Sequence, residues 1–262
     1  MKFYGTTDVG QKRTVNQDNF IIKEYSPDVT LAVVCDGMGG ANGGGLASRI
    51  AVEAFCGLID DHKRFLCEKY GEQNSDEKIC DILQIATEEA NDKVFAASEE
   101  DEELHGMGTT LVAAVITPRA IYAVNVGDSR MYHIYEGNAI QVTKDHSYVQ
   151  YLVDMGKMSP RAAKKSDKKN IITRAVGTDP STEADVYTVP RNPAGGFVIL
   201  CSDGLHNLTE TKELADAVKH RGKVTDEILK SGGDSLVSLA NKRGGNDNIT
   251  VAILYYEGSK NG

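Results

Sequence analysis

Five aspartates fall at the boundaries of apolar runs, where carboxylates can either start turns or gather cations. "LAVVCDGMGGANGG" (31–44) closes a strand-like run with Asp36. "FVILCSDGL" (197–205) repeats that logic with Asp203 and Gly204, and "YAVNVGDSR" (122–130) with Gly127 and Asp128. "RGGNDNITVAIL" (243–254) sets Asp247 and Asn248 before a run, and "TVNQDNFII" (14–22) does the same with Asp18. Strands that end at one rim would bring these carboxylates together, where they repel and raise one another's proton affinity until a cation neutralises them. Oxygen donors without His or Cys favour Mg²⁺ or Mn²⁺ over Zn²⁺. The glycines after Asp36 let backbone carbonyls approach such an ion. Asp-Gly after a strand is also an ordinary turn, so the spacing alone leaves both readings open.

Other chemistries have less support. "GMGGANGGG" resembles a phosphate-cradling loop in composition only, since no Gly-Lys-Ser/Thr follows and no dinucleotide spacing fits. The six histidines are scattered, and His146 and His206, which lie near the motifs, read as structural. Five cysteines without C-x-x-C spacing argue against a disulfide framework or zinc site. A net charge of -9 argues against general affinity for nucleic acid or an anionic membrane. The N-terminal stretch has no signal-peptide core, and no apolar run approaches the ~18 residues of a span. A reduced, cytoplasmic protein is expected.

The elements that must position the aspartates read mostly as strands. "FIIKEY", "VTLAVVC", "TTLVAAVIT", "AIYAVNV", "RMYHIY", "FVILCS" and "ITVAILYY" are short, rich in β-formers and bounded by turn residues. "VITPRAIYAV" and "MYHIYEGNAIQV" predict antiparallel hairpins. An apolar stripe of Ile79, Leu83, Ala86, Ala90 and Val94 predicts a long helix over 76–98. Shorter helices are expected at 46–59, 211–220 and 224–241, and the acidic run 98–104 as a solvated loop. The fold class is α+β, in one domain. Residues 147–170, basic and helical amid strands, form a candidate lid.

Taken in order, the motifs resemble the metal-dependent protein phosphatases of the PPM class, the protein phosphatase 2C-like family, in its short bacterial form. "TDVGQKRTVNQDNF", "VVCDGMGG", "GMGTTLVAAVI", "VNVGDSRMY", "TKDHSYV", "ITRAVG", "LCSDGL" and "GGNDNITVAIL" follow the family's sequence of motifs nearly end to end. The resemblance implies a four-layer α-β-β-α sandwich with two central antiparallel sheets. A single phosphatase domain would span 1–257, with a flap at about 147–170 and a tail at 258–262. It further implies Mn²⁺ or Mg²⁺, two ions with a third, weaker site. Asp36 would bridge two metals, the Gly37 carbonyl would ligate one, and Asp203 and Asp247 would complete the first. Asp128 would hold the third with Asp203. Asp18 would act from behind the ligands, and Arg13 would bind substrate phosphate through its guanidinium fork.

The implied reaction is hydrolysis of phosphoserine or phosphothreonine in proteins by a hydroxide bridging two metals. Phosphorylated proteins would be the substrates, a serine/threonine kinase the opposing partner, and the enzyme a monomer. The chain departs from the family pattern at Gln17, where many members carry glutamate. It departs also at Ala41 and Gly45, where bacterial members usually carry histidine and an acid. The alternative is a weak or inactive member that binds phosphoproteins as a regulatory module. A phosphatase acting on anti-sigma-factor antagonists fits less well, because Arg13 and the flap are both present. The flap's basic residues (Lys157, Arg161, Lys164, Lys165, Lys168, Lys169) read either as a solvated face or as a surface for acidic phosphopeptides.

Overall fold

The structure, a computed structural model, describes residues 1–68, 72 and 74–258, without the side chains of 41 and 42. Residues 259–262 of the expected tail lie outside the described residues. In chain order the elements are β1 (Lys2–Asp8), β2 (Asp18–Ser26), β3 (Val29–Met38), α1 (Gly40–Asp61), α2 (Lys63–Glu68) and α3 (Ser75–Glu100). There follow β4 (Gly108–Thr109), β5 (Leu111–Ile116), β6 (Ala120–Val126), β7 (Arg130–Tyr135), β8 (Asn138–Gln141), α4 (Tyr148–Asp154) and α5 (Pro160–Ala163). The chain closes with β9 (Asp185–Pro190), β10 (Gly195–Cys201), α6 (Asp203–His206), α7 (Thr211–Ala217), α8 (Asp226–Lys242) and β11 (Ile249–Glu257).

Two antiparallel sheets form, in the orders β1-β11-β10-β7-β8 and β2-β3-β5-β6-β9, with β4 pairing on β3. Alternation along the strands gives each sheet two apolar faces. Ala32, Val34, Val112, Ala114, Val198, Leu200 and Leu254 meet between the sheets. The alternate residues of β3 and β5, Val33, Cys35, Ala113 and Val115, turn outward against Phe55 and Ile59 of α1 and Leu83 and Ala86 of α3. On the other sheet Ile199, Cys201 and Ile253 pack on Leu229, Leu236 and Ala240 of α8. These three apolar interfaces make the four layers, so the expected α-β-β-α sandwich is what forms. Cys35 and Cys201 serve as small hydrophobes within it. Among the described residues no helix is long and apolar enough to cross a membrane.

The sequence reading needs correction at several elements. Helix α1 begins at Gly40 rather than 46, so most of the glycine run is helical. Helix α3 continues through Glu100 and ends in a 3-10 turn over Glu102–Leu104, so the acidic run is only partly loop. Two edge strands, β1 and β9, carry no long apolar run and have no counterpart in the expected elements. Within 147–170, α4 and α5 form as expected, and each begins at a serine whose hydroxyl accepts from the helix's first turn.

Candidate metal centre

The ends of β3, β6 and β10 and the segments entering β2 and β11 meet at one rim. There Arg13, Asp36, Gly37, Asp128, Asp203 and Asp247 line a single cavity of about 670 Å³. Asp18 lies just beneath it, 5% exposed. The sequence-based site residues are therefore all brought together, six at the cavity wall and one behind it.

The two sheets meet through Asp18. Its Oδ2 accepts from Ser202 Oγ at 2.7 Å, just past the end of β10, and from Thr250 Oγ1 at 2.6 Å, on β11 of the opposite sheet. Asp18 also stands opposite Asp36 in the β2–β3 ladder. Like charges in that position are destabilising unless a counter-charge intervenes. Thr110 fixes the Asp36 backbone, accepting from its N–H at 3.0 Å and donating its own N–H to the Asp36 carbonyl at 2.9 Å.

Asp203 opens α6. Its Oδ2 accepts from Asn207 Nδ2 at 3.1 Å, while its Oδ1 is buried without a partner, as is Asp18 Oδ1. Asp247 accepts from Arg13 Nη2 at 2.8 Å on Oδ2 and from the Asn248 N–H at 3.0 Å on Oδ1. That ion pair raises the Arg13 pKa. The residue implied to take phosphate is here held on a residue implied to take metal.

Proton affinities record the crowding. Burial, then repulsion from Asp18, Asp203, Asp128 and Asp247, raises the Asp36 carboxyl well above the usual carboxylate range. Burial, then Asp128, Asp247 and Asp18, pushes Asp203 to about 8. Asp18 rises to about 6 through burial, despite its two hydroxyl donors. Asp128 rises to about 6 through burial and the nearby Asp145. Such a cluster lowers its free energy by taking up positive charge, as protons or as a cation.

The donor set fits a hard divalent cation: carboxylate oxygens lining the cavity, and two buried carboxylate oxygens left without hydrogen bonds. Among the described residues, no three His, Cys, Asp or Glu side chains already converge closely enough to hold an ion. The Asp247 carboxylate is held in its ion pair with Arg13.

Several residues that build this site have supporting roles that the sequence did not show. Asn248 donates to the carbonyls of Val9 and Val15 at 3.0 Å each and accepts from the Gln17 N–H at 2.8 Å. One buried amide thereby pins the whole segment that carries Arg13. Ser202, Thr250 and Asn207 orient Asp18 and Asp203, and only their adjacency to the motifs could have flagged them. Gln17 lines the cavity and donates to the Gly40 carbonyl at 2.9 Å. His146 lies between the Gly127 N–H, at 3.2 Å, and Asp185, at 3.2 Å; buried His206 meets the Asp128 carbonyl at 2.9 Å. Neither lines the carboxylate cavity.

Residues 7–231 match the protein phosphatase 2C family. The serine/threonine phosphatase stp of Listeria welshimeri is 34% identical over 248 residues, 95% of this chain and 93% of that one. The crystal structure of the serine/threonine phosphatase Stp1 from Staphylococcus aureus superposes with a TM-score of 0.83 at 32% identity, covering 98% and 95% of the two chains. The catalytic domain of the serine/threonine protein phosphatase PstP, solved in complex with two manganese ions, superposes at 0.75 with 28% identity and 96% of each chain covered. This chain belongs to the protein phosphatase 2C family, and it is a serine/threonine protein phosphatase.

Proposed function

We propose that the protein hydrolyses phosphoserine and phosphothreonine in proteins with the aid of Mn²⁺ or Mg²⁺, as a cytoplasmic monomer opposing a serine/threonine kinase. The observation that carries this reading is the cavity itself. It holds four aspartates over a fifth, leaves two buried carboxylate oxygens without partners, and places one guanidinium at its edge.

Asp36, the Gly37 carbonyl, Asp203 and Asp247 would hold two cations, and Asp128 with Asp203 a third. When bound, such cations make a water nucleophilic near neutral pH and screen the phosphoryl oxygens. The chain's own groups do the rest. Arg13 leaves Asp247 and receives the phosphoryl oxygens in its planar fork. Asp18, braced by Ser202 and Thr250, keeps one oxygen free to accept a hydrogen bond from water in the cavity. Asn248 keeps the Arg13 segment against the rim, so that the phosphate is oriented as well as bound. Neither His146 nor His206 lines this cavity, so neither is placed to protonate the leaving alkoxide.

Phosphate release from a phosphothreonine peptide tests the reading, with Mn²⁺ or with excess chelator, in wild type and Asp203→Asn. Release that needs both the metal and Asp203 is expected. A wild type that binds Mn²⁺ and releases nothing would replace catalysis with phosphoprotein binding.

A further inference from the structure

Consecutive residues at the end of the flap face two different hollows. Asn170 lines the carboxylate cavity. Lys169 lines a neighbouring groove of about 640 Å³, walled by α4 and α5 on one side and by residues 206–211 on the other. Asp128 lines both, so the groove opens directly beside the reacting phosphate. A peptide with its phosphoresidue over the carboxylates has room to run one flank into it.

The groove's charge is unevenly spent. Arg130 is committed to Asp145 by two hydrogen bonds of 2.8 and 2.6 Å. Lys164 stands 3.7 Å from Glu210, a loose exposed pair of small worth. Lys169 donates at 3.2 Å to a neutral amide oxygen, that of Asn207. Among the described residues the side chains of Arg161 and Lys165 make no ion pair. Arg161, Lys165 and Lys169 therefore face the groove without an ion pair, although the Lys169 charge also acts on Asp203. One of them connects to the site, because the Asn207 amide that accepts from Lys169 also donates to Asp203.

We infer that this groove is a subsite for a second anionic group on the substrate, a phosphorylated residue or an acidic side chain flanking the phosphoresidue. The inference rests on the phosphoprotein reading and names the substrate class that the site selects. A further phosphate gains more than a carboxylate, because it offers three acceptor oxygens and close to two negative charges to three separated donors. Selection among substrates then comes from the flap, and the carboxylate cavity remains indifferent to sequence.

The test uses the full chain with Mn²⁺ and fluorescent phosphothreonine peptides in three forms: neutral flanks, a glutamate on either side, and a second phosphothreonine on either side. Affinity is read by anisotropy on Asp203→Asn, in which the peptides persist, and KM by phosphate release on wild type. On one flank, the charged peptides should bind about threefold to tenfold more tightly than the neutral one, with salt weakening the preference. Adding Lys165→Glu should bring the ratio of the two affinities toward one. The ratio is read within one protein preparation, so partial misfolding does not mimic the effect. A tighter doubly phosphorylated peptide assigns the subsite to phosphate, and equal gains assign it to acidic residues generally. Equal binding of all three peptides, or a preference untouched by Lys165→Glu, overturns the inference. Absence of metal-dependent release would instead overturn the hydrolytic reading, while the anisotropy ratios still judge the groove.

Discussion

Two strand ends in this molecule share a sequence pattern and are built in different ways. β3 and β10 lie in different sheets, and each ends near an aspartate followed by glycine and a helix. At β3 the crowding is between a strand and the helix that follows it. A Cβ on Gly37 would overlap the Gly44 carbonyl, and a Cβ on Gly44 would stand 2.7 Å from the Gly37 oxygen. At β10 the crowding is between two segments that each carry a carboxylate, because a Cβ on Gly204 would overlap the Asn248 carbonyl beside Asp247. The β3 end thus fixes one carbonyl, whereas the β10 end holds Asp203 and Asp247 in mutual register. Equal motifs do not have equal consequences.

Substitutions can separate the two ends. The largest effect is expected at the β10 carboxylate: Asp203→Asn should lower metal-dependent kcat/KM by about a thousandfold, checked by phosphate release at saturating Mn²⁺. Alanine at the two glycines comes next. Gly204→Ala displaces two carboxylate-bearing segments and should cost about a hundredfold, against about tenfold for Gly44→Ala, which moves one carbonyl. Parallel Mn²⁺ titrations and activity assays would check the order, and the reverse order would break the comparison. Arg13→Ala should raise KM for a phosphopeptide by about tenfold with a smaller change in kcat.

The smallest effect is on stability. Asp18 and Asp128, raised to about 6, and Asp203, raised to about 8, bind protons more tightly folded than unfolded, where aspartates titrate at about 3.9. Their contribution is complete below about pH 4 and is lost as pH climbs through 6 and then 8. Without metal, the melting temperature should fall by about a few degrees between pH 5 and 8. Saturating Mn²⁺ should remove that slope, and Asp203→Asn should flatten its upper part. Thermal denaturation with and without chelator would check both.

Much of this was legible in the sequence because strand periodicity and Asp-Gly punctuation are local signals. The interior strands β3, β5, β6, β10 and β11 are continuous apolar runs, and each was readable. β1 and β9 were not, since edge strands half exposed on one side dilute the apolar run that identifies a strand. The start of α1 was hidden because glycine disfavours helix by about 1 kcal/mol per residue. Tertiary contacts explain why small residues stand there, Gly44 against Gly37 and Gly43 against Met107. The site's carboxylates were visible as punctuation, but their supports were not. Asn248, Ser202 and Thr250 act across long separations, and no period in the sequence marks such a hydrogen bond, while Asn207 lies four residues from Asp203 in a helix too short to show a period. The Arg13–Asp247 pair was likewise invisible, because 234 residues separate its members.

The tie between Asp18 and Thr250 reaches across 232 residues, and this bears on how the protein is made. Synthesis runs from the N-terminus, and contacts so distant in sequence form late. A chain still on the ribosome holds Asp18, Asp36, Asp128 and Asp203 well before Asp247 and β11 exist. Until that strand inserts between β1 and β10, the fifth carboxylate is missing and Asp18 lacks one of its two hydroxyl donors. On the proposed reading of Asp247 as a cation ligand, hydrolysis begins only once the closing strand is in place.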